Sequence, residues 1–186
     1  MGTFSVSSWF RQRPARAEAA DCGVALEQVA IEPATDAAFL WLLDPDAPAP
    51  GPWKAARPIE SPEVLEMLRA LAGKLRCADC PCAWLIRVED RVVGLISFKA
   101  SPEHSPDIEI GYGLAGPWRG RGVARAAVGR LISLAEADPR IEALTAETEA
   151  ANVRSRRVLI HHGFRFQRRR RDLEDGVVDS WRLALR

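Results

Sequence analysis

Apolar residues in this chain follow two periods, and the change from one to the other marks its most informative stretch. Between Asp107 and Leu114 the alternation is strict. Ile108, Ile110, Tyr112 and Leu114 fall on one face, Asp107, Glu109, Gly111 and Gly113 on the other, which predicts a strand. From Val123 the spacing lengthens, and Val123, Ala127, Val128, Leu131 and Leu134/Ala135 share one helical face until Asp138-Pro139 stops the run. Trp118-Arg119-Gly120-Arg121-Gly122 joins the two. A glycine-relieved turn feeding a helix N-terminus gathers backbone N–H groups that have no intrahelical acceptor, backed by the positive end of the helix dipole. Arg119, Arg121, Arg125 and Arg130 add positive charge with no acid between them. Such a junction suits a phosphate-rich ligand.

The same patterns divide the rest of the chain. Val24–Ile31 reads as a strand with Leu26 and Val29 in the core, and Thr35–Leu43 as a helix capped at Thr35-Asp36, with Phe39, Leu40, Leu42 and Leu43 as its apolar residues. Asp44–Pro58 holds Pro45, Pro48, Pro50, Pro52, Pro58 and Gly51 and predicts a loop. Ser61-Pro62-Glu63 opens a second helix running to about Leu75. Ala83–Val88 and Val92–Ala100 form a hairpin around Glu89-Asp90-Arg91. After the strand and helix described above come a strand over Ile141–Glu147, a helix over Val153–His162 closed by Gly163, and a hairpin pairing Phe164–Arg171 with Val177–Leu185. No repeat and no second domain are visible, and 186 residues fit one domain.

Antiparallel hairpins around a single strand–helix–strand unit argue against a doubly wound sheet. This decides the reading of Gly111-x-Gly113-x-x-Gly116, which matches the dinucleotide fingerprint in letters only. Pro117-Trp118 intervene before any helix, and no acidic residue ends a following strand at the expected distance.

A family resemblance supplies the ligand. Arg119-x-x-Gly122-x-Ala124 resembles the Arg/Gln-x-x-Gly-x-Gly/Ala signature of the GNAT acyl-CoA N-acyltransferases. Asn152-x-x-Ser155-x-x-Val158-Leu159-x-x-x-Gly163-Phe164 is similar to a second segment of the same family, separated from the first by the length of one helix and one strand. The likeness covers residues 24–186. Its ending, Asp175-Gly176-Val177-Val178-Asp179-Ser180-Trp181, is similar to the branch that acetylates ribosomal-protein N-termini and related small substrates. The resemblance implies a mixed α+β GNAT fold: a mostly antiparallel, twisted sheet of six to seven strands, splayed between the fourth and fifth and flanked by about four helices. It implies an N-acetyltransferase domain over residues 24–186 behind an N-terminal tail of residues 1–23. It also implies acetyl-CoA as co-substrate, acting on a primary amine in a ternary complex. The acceptor would be a protein N-terminus or a small-molecule amine, and a homodimer is compatible with this picture.

Carried over residue by residue, the resemblance places the coenzyme A pyrophosphate on the backbone of Arg119, Gly120, Arg121, Gly122, Val123 and Ala124. Gly113 leaves room for the pantetheine arm, Leu114 offers a backbone N–H to the thioester carbonyl, and Asn152 touches the cofactor's amide arm. Glu109 is either a solvated carboxylate or the group that takes the amine proton, directly or through water. Ser155 is either a near-cap serine or the proton donor to the departing thiolate. The second role arises because many family members carry a tyrosine where this chain has Leu159. The only tyrosine of the chain is Tyr112. That departure keeps a non-catalytic coenzyme A-binding regulator as an alternative.

Other features narrow the partners. Only Lys54, Lys74 and Lys99 are lysines, so 23 of the 26 basic residues are arginines, a bias that fits phosphate recognition and fits a GC-rich genome equally well. Arg168–Arg171, with Arg165, keep an RNA- or ribosome-contacting module as another alternative. Limited aromatic interleaving makes a solvated hairpin the expectation, and nucleic acid is not expected as a partner. Cys77-x-x-Cys80-x-Cys82 lacks a second paired Cys/His motif, so reduced thiols are expected there and no metal. No apolar run reaches the ~18–20 residues of a membrane span, and no membrane partner is expected. Without a visible secretory signal, a cytoplasmic location is the default.

Overall fold

The computed structural model describes residues 26–75, 80–172 and 176–186. The expected tail, residues 24–25 of the first predicted strand, Cys22, Cys77 and Asp175 lie outside these. In chain order the elements are β1 (Val29–Pro33), α1 (Asp36–Leu43), β2 (Lys54–Ala55), α2 (Pro62–Leu75), β3 (Ala83–Val88), β4 (Arg91–Phe98), β5 (Asp107–Leu114), α3 (Val123–Ala137), β6 (Ala143–Glu149), α4 (Val153–His161), β7 (Arg165–Asp172) and β8 (Gly176–Ala184).

Seven strands lie in the order β1-β3-β4-β5-β6-β8-β7, and β2 pairs with β4 off that path. The main ladders are antiparallel except β5 with β6. That parallel ladder is short, matching Asp107–Glu109 with Ala143–Thr145. Beyond it β5 keeps only β4 as a partner, through Ile110–Leu114, and β6 keeps only β8. The sheet therefore splits after Glu109 and Thr145, between the fourth and fifth long strands in chain order.

Helices cover both faces. Strand alternation sends Trp84, Ile86 and Val88 to one face and Ala83 and Leu85 to the other. The first face packs with Ile96, Ile108, Ile110 and Leu144 against Ala127, Val128, Leu131 and Ala135 of α3 and Leu159 of α4. The second packs with Val92 and Leu95 against Phe39 and Trp41 of α1 and Leu65 and Leu68 of α2. Thr35 caps α1, its hydroxyl accepting from the N–H of Ala38 at 3.2 Å, and Ser61 caps α2 through the N–H of Val64 at 3.4 Å.

Several expectations need correction. The first strand begins at Val29 and reaches Pro33, because its partner β3 stops at Val88, opposite Val29. Leu26, predicted as a core strand residue, sits partly buried in a 3-10 turn, Leu26–Gln28. Leu40 and Leu134 face solvent, while Trp41 and Ile132 take the buried places on those helices. The proline-rich loop yields an eighth strand, since Lys54 and Ala55 zip onto Arg91 and Val92. The segment ending at Trp181 locks β8 in place. Asp179, fully buried, holds Arg169 at 2.6 Å; Ser180 donates to Glu147 at 3.1 Å; and Trp181 donates to Thr148 at 3.2 Å.

Candidate active site

Of the four helices among the described residues, α3 alone starts without a side-chain cap. Its N-cap is Gly122, in the left-handed region at φ 81°. The carbonyl of Gly122 accepts from the N–H of Ala126, so the amides of Val123, Ala124 and Arg125 have no intrahelical acceptor. Gly120 also has positive φ, 80°, and open space where a Cβ would stand. At Gly122 a Cβ would lie 2.8 Å from Leu26 Cδ2, so a side chain there would be strained by its φ and would force the tip of Leu26 to shift. No acid lies in the first turn of α3 to occupy the amides. The junction is a row of backbone donors at the positive end of a 15-residue helix.

The arginines around it divide their work. Arg119 Nε donates to the carbonyl of Leu114 at 2.7 Å, bracing the strand end against the turn. Arg121 stacks over Trp118 with its guanidinium carbon 5.6 Å from the ring. Arg130 donates to the carbonyl of Glu27 at 3.0 Å. The chain also brings an acid to this end of the site, which the sequence did not reveal. Burial pushes the Glu60 carboxyl up to about 7, and the positive charge of Arg119 opposes that rise.

The split between β5 and β6 opens a cleft of about 40 Å³, lined by Lys99, Gly111, Tyr112, Glu147, Asn152 and Ser155 among others. That is room for a few waters. The N–H of Ala115 donates to the carbonyl of Val93, and the carbonyl of Glu109 accepts from the N–H of Lys99. Odd-numbered residues of β5 thus bond toward β4, and ladder alternation turns the amides of Tyr112 and Leu114 to the open side. Gly113 lies against Leu95, and Gly94 approaches so closely that a Cβ there would meet the Gly113 carbonyl oxygen at 2.2 Å.

Glu109 occupies the point where the strands part. It is not a free carboxylate: its Oε1 accepts from Lys99 Nζ at 2.5 Å, with the lysine side chain only 6% exposed. Ser155 is 8% exposed at the start of α4. Its N–H donates to Asn152 Oδ1 at 3.0 Å, so Asn152 is the N-cap. Its hydroxyl lies 2.7 Å from the hydroxyl of Tyr112, which also donates to the Ser155 carbonyl at 3.3 Å. Burial pushes Tyr112 up to about 12, with the Ser155 contact opposing. The lone tyrosine of the chain therefore reaches the cleft from β5, across the split. Leu159 is fully buried in the core.

Of the expected site residues, Asn152 and Ser155 line this cleft; Glu109 stands at the end of the β5–β6 ladder, Gly113 and Leu114 lie further along β5, and residues 119–124 form the junction leading into α3. Lys99, Tyr112, Glu147 and Glu60 were missed. Their approach depends on cross-strand register and on loop placement, for which the chain gives no local signal. Glu147 is engaged by Arg170 at 2.7 Å and by Ser180. Together with the Arg169–Asp179 pair, this commits two of the four consecutive arginines of β7 to internal partners. Among the described residues no group of three or more metal-ligating side chains occurs, and no helix is long and apolar enough to cross a membrane.

A model of the acetyltransferase (GNAT) domain matches residues 24–165. No curated protein matches the chain. A chimera of the Vibrio cholerae spermidine N-acetyltransferase and hSSAT shares 12% identity over 85% of this chain and 96% of its own, with a TM-score of 0.63. The microcin C7 self-immunity acetyltransferase, solved with acetyl-CoA and AMP, shares 16% identity over 66% and 69%, TM-score 0.55. A ribosomal L7/L12 alpha-N-protein acetyltransferase solved with coenzyme A shares 18% identity over 66% and 71%, TM-score 0.55. At such identities the structural likeness is one of fold.

Proposed function

The chain belongs to the GNAT acetyltransferase family, an acyl-CoA-dependent transferase with acetyl-CoA as co-substrate, and from that premise we propose that it acetylates an α-amine or a weakly basic small-molecule amine by direct transfer in a ternary complex. The observation that supports this most is the uncapped N-terminus of α3 beside the split of β5 from β6. The amides of Val123, Ala124 and Arg125, set behind Gly120 and Gly122, fit a diphosphate. Asn152 lines the cleft, and Gly113 is assigned to the pantetheine arm. Residues 24–186 are taken as one transferase domain and a reducing cytoplasm as its setting.

When bound, acetyl-CoA supplies an activated acyl carbon and a thiolate leaving group. The chain's own residues orient and handle protons. The Leu114 amide, turned to the open side of β5, is the donor proposed for the thioester carbonyl. Glu109 takes the proton of the incoming amine through water, and Lys99 fixes the orientation of its carboxylate. The Tyr112–Ser155 hydroxyl pair returns a proton to the departing sulfur, in place of the tyrosine that Leu159 replaces. A thiol of pKa about 8.5 needs little help in leaving, so this pair assists and does not decide the rate alone.

Magnitudes favour the α-amine. At pH 7.5 an α-amine of pKa about 7.7–8.0 is already partly free, whereas freeing a lysine amine at about 10.4 costs about 4 kcal/mol. One oxygen of the Glu109 carboxylate is already engaged by Lys99 at 2.5 Å, an arrangement adequate for the first acceptor and poor for the second. The test is a panel of peptide N-termini, lysine-bearing peptides, polyamines and small amines. Free-thiol release and product mass are the readouts. Acetylated α-amines or weakly basic amines in preference to lysine are expected; thiol release with lysine peptides alone would contradict the proposal.

A further inference from the structure

One side-chain cluster lies outside the transfer site and has no part in it. Cys80 and Cys82 flank Pro81 just before β3, with their sulfurs 3.5 Å apart. Both are reduced and buried, Cys80 at 7% and Cys82 at 1% exposure. Cys82 donates its thiol to Cys80 Sγ and to the carbonyl of Leu75 at 3.3 Å. Its backbone is held in the left-handed region, φ 59°, which costs a β-carbon-bearing residue about 1 kcal/mol or more.

We propose that Cys80 and Cys82 form a dithiol that closes reversibly into a disulfide on meeting a peroxide. The geometry supplies proximity, since the sulfurs need to approach from 3.5 Å to about 2 Å. Pro81 narrows the conformations the two cysteines explore. It also supplies a nucleophile. The hydrogen bond from Cys82 brings the Cys80 thiol down to about 7, with burial opposing, so a substantial thiolate fraction is present near neutral pH. In the first step the Cys80 thiolate attacks one peroxide oxygen, the O–O bond breaks, and a sulfenic acid and hydroxide form. In the second the Cys82 sulfur attacks the Cys80 sulfur, the S–S bond forms, and the sulfenic oxygen leaves as water with the Cys82 proton. Each sulfur gives up one electron and the peroxide is reduced to water and hydroxide. Among the described residues no group of three or more His, Cys, Asp or Glu side chains stands here to hold a metal ion. A disulfide across so short a loop is strained and belongs to the readily reduced class.

The test uses the full chain with Cys22→Ser and Cys77→Ser, leaving one thiol pair. After equimolar hydrogen peroxide, acid quench and denaturing alkylation, the intact mass is expected to fall by two hydrogens. Neither thiol should then take label, and dithiothreitol should restore both. Two alkylatable thiols after peroxide, or an added-oxygen mass that dithiothreitol does not reverse, would overturn the proposal. Should that variant misfold, the wild-type chain is treated identically and the fragment between Arg76 and Arg87 sequenced. A Cys80–Cys82 link is expected, and a link through Cys77 or Cys22 would overturn it.

Discussion

The proposed chemistry rests, at the residue scale, on two side-chain pairs. The first, Lys99 with Glu109, ties a carboxylate at the mouth of the sheet split to an ammonium that is 6% exposed. The Glu109→Gln enzyme should lose about 100-fold in kcat/KM toward lysine peptides, the low end for a general base. Toward α-amines it should lose less than about 10-fold, because part of that substrate arrives deprotonated. Equal losses for both acceptors in steady-state assays would remove Glu109 as a base. The second pair, Tyr112 with Ser155, shares one hydrogen bond across the cleft at 2.7 Å. Groups that act as a unit lose their effect together. Tyr112→Phe and Ser155→Ala are each expected to lower kcat several-fold, and the double variant to fall no further than the worse single one. Multiplying losses in single-turnover assays would mean two independent roles. Glu109 and Ser155 could be singled out as candidates because each sits in a motif or on a strand face. Their partners could not, since Lys99 is set by β4–β5 register and Tyr112 by the packing of α4 over the split.

Element by element, the sequence foretold well what periodicity controls and poorly what a partner controls. The helical run from Val123 and the alternation from Asp107 correspond to α3 and β5. The start of β1 did not follow its own residues but the length of β3 opposite. The junction of β5 with α3 yields an experiment on conformation against contact. Gly122→Ala meets both a left-handed φ of 81° and Leu26 at 2.8 Å, whereas Gly120→Ala meets only φ 80°. Gly120→Ala should cost about 1 kcal/mol of stability and Gly122→Ala about 2 kcal/mol or more. Urea denaturation measures both, and equal costs would mean that Leu26 yields freely.

The Glu60 loop adds a pH dependence. Its folded carboxyl titrates near 7 against an ordinary 4.5, so the folded state binds more protons than the unfolded one between those values. Stability therefore declines as pH rises through that window. Glu60→Gln should remove this decline, leaving the variant more stable than wild type by roughly 2 kcal/mol above pH 7. A wild-type–variant difference that stays constant from pH 4.5 to 8 would contradict the assignment.

For the whole molecule, the sheet is held open by what lies on either side of the split. On one side β4 carries β5; on the other, β8 carries β6 through Ser180 and Trp181, and Asp179 ties β8 to β7. The Arg169 guanidinium holds the Asp179 carboxyl below its ordinary 3.8, so that stabilisation is complete above the ordinary value and lost as pH falls through the folded one. Asp179→Asn should therefore lower Tm at pH 7, with the gap to wild type closing below about pH 4. A gap independent of pH would assign the loss to packing. These ties were invisible in the chain, although the segment that makes them was recognisable as a family ending. The most direct measurement is the thermal unfolding of the full chain with acetyl-CoA, free coenzyme A, or neither. At a hundred times its dissociation constant the nucleotide should add about 2.7 kcal/mol to the folded state and raise Tm by several degrees. An unfolding curve that neither compound moves would contradict the account.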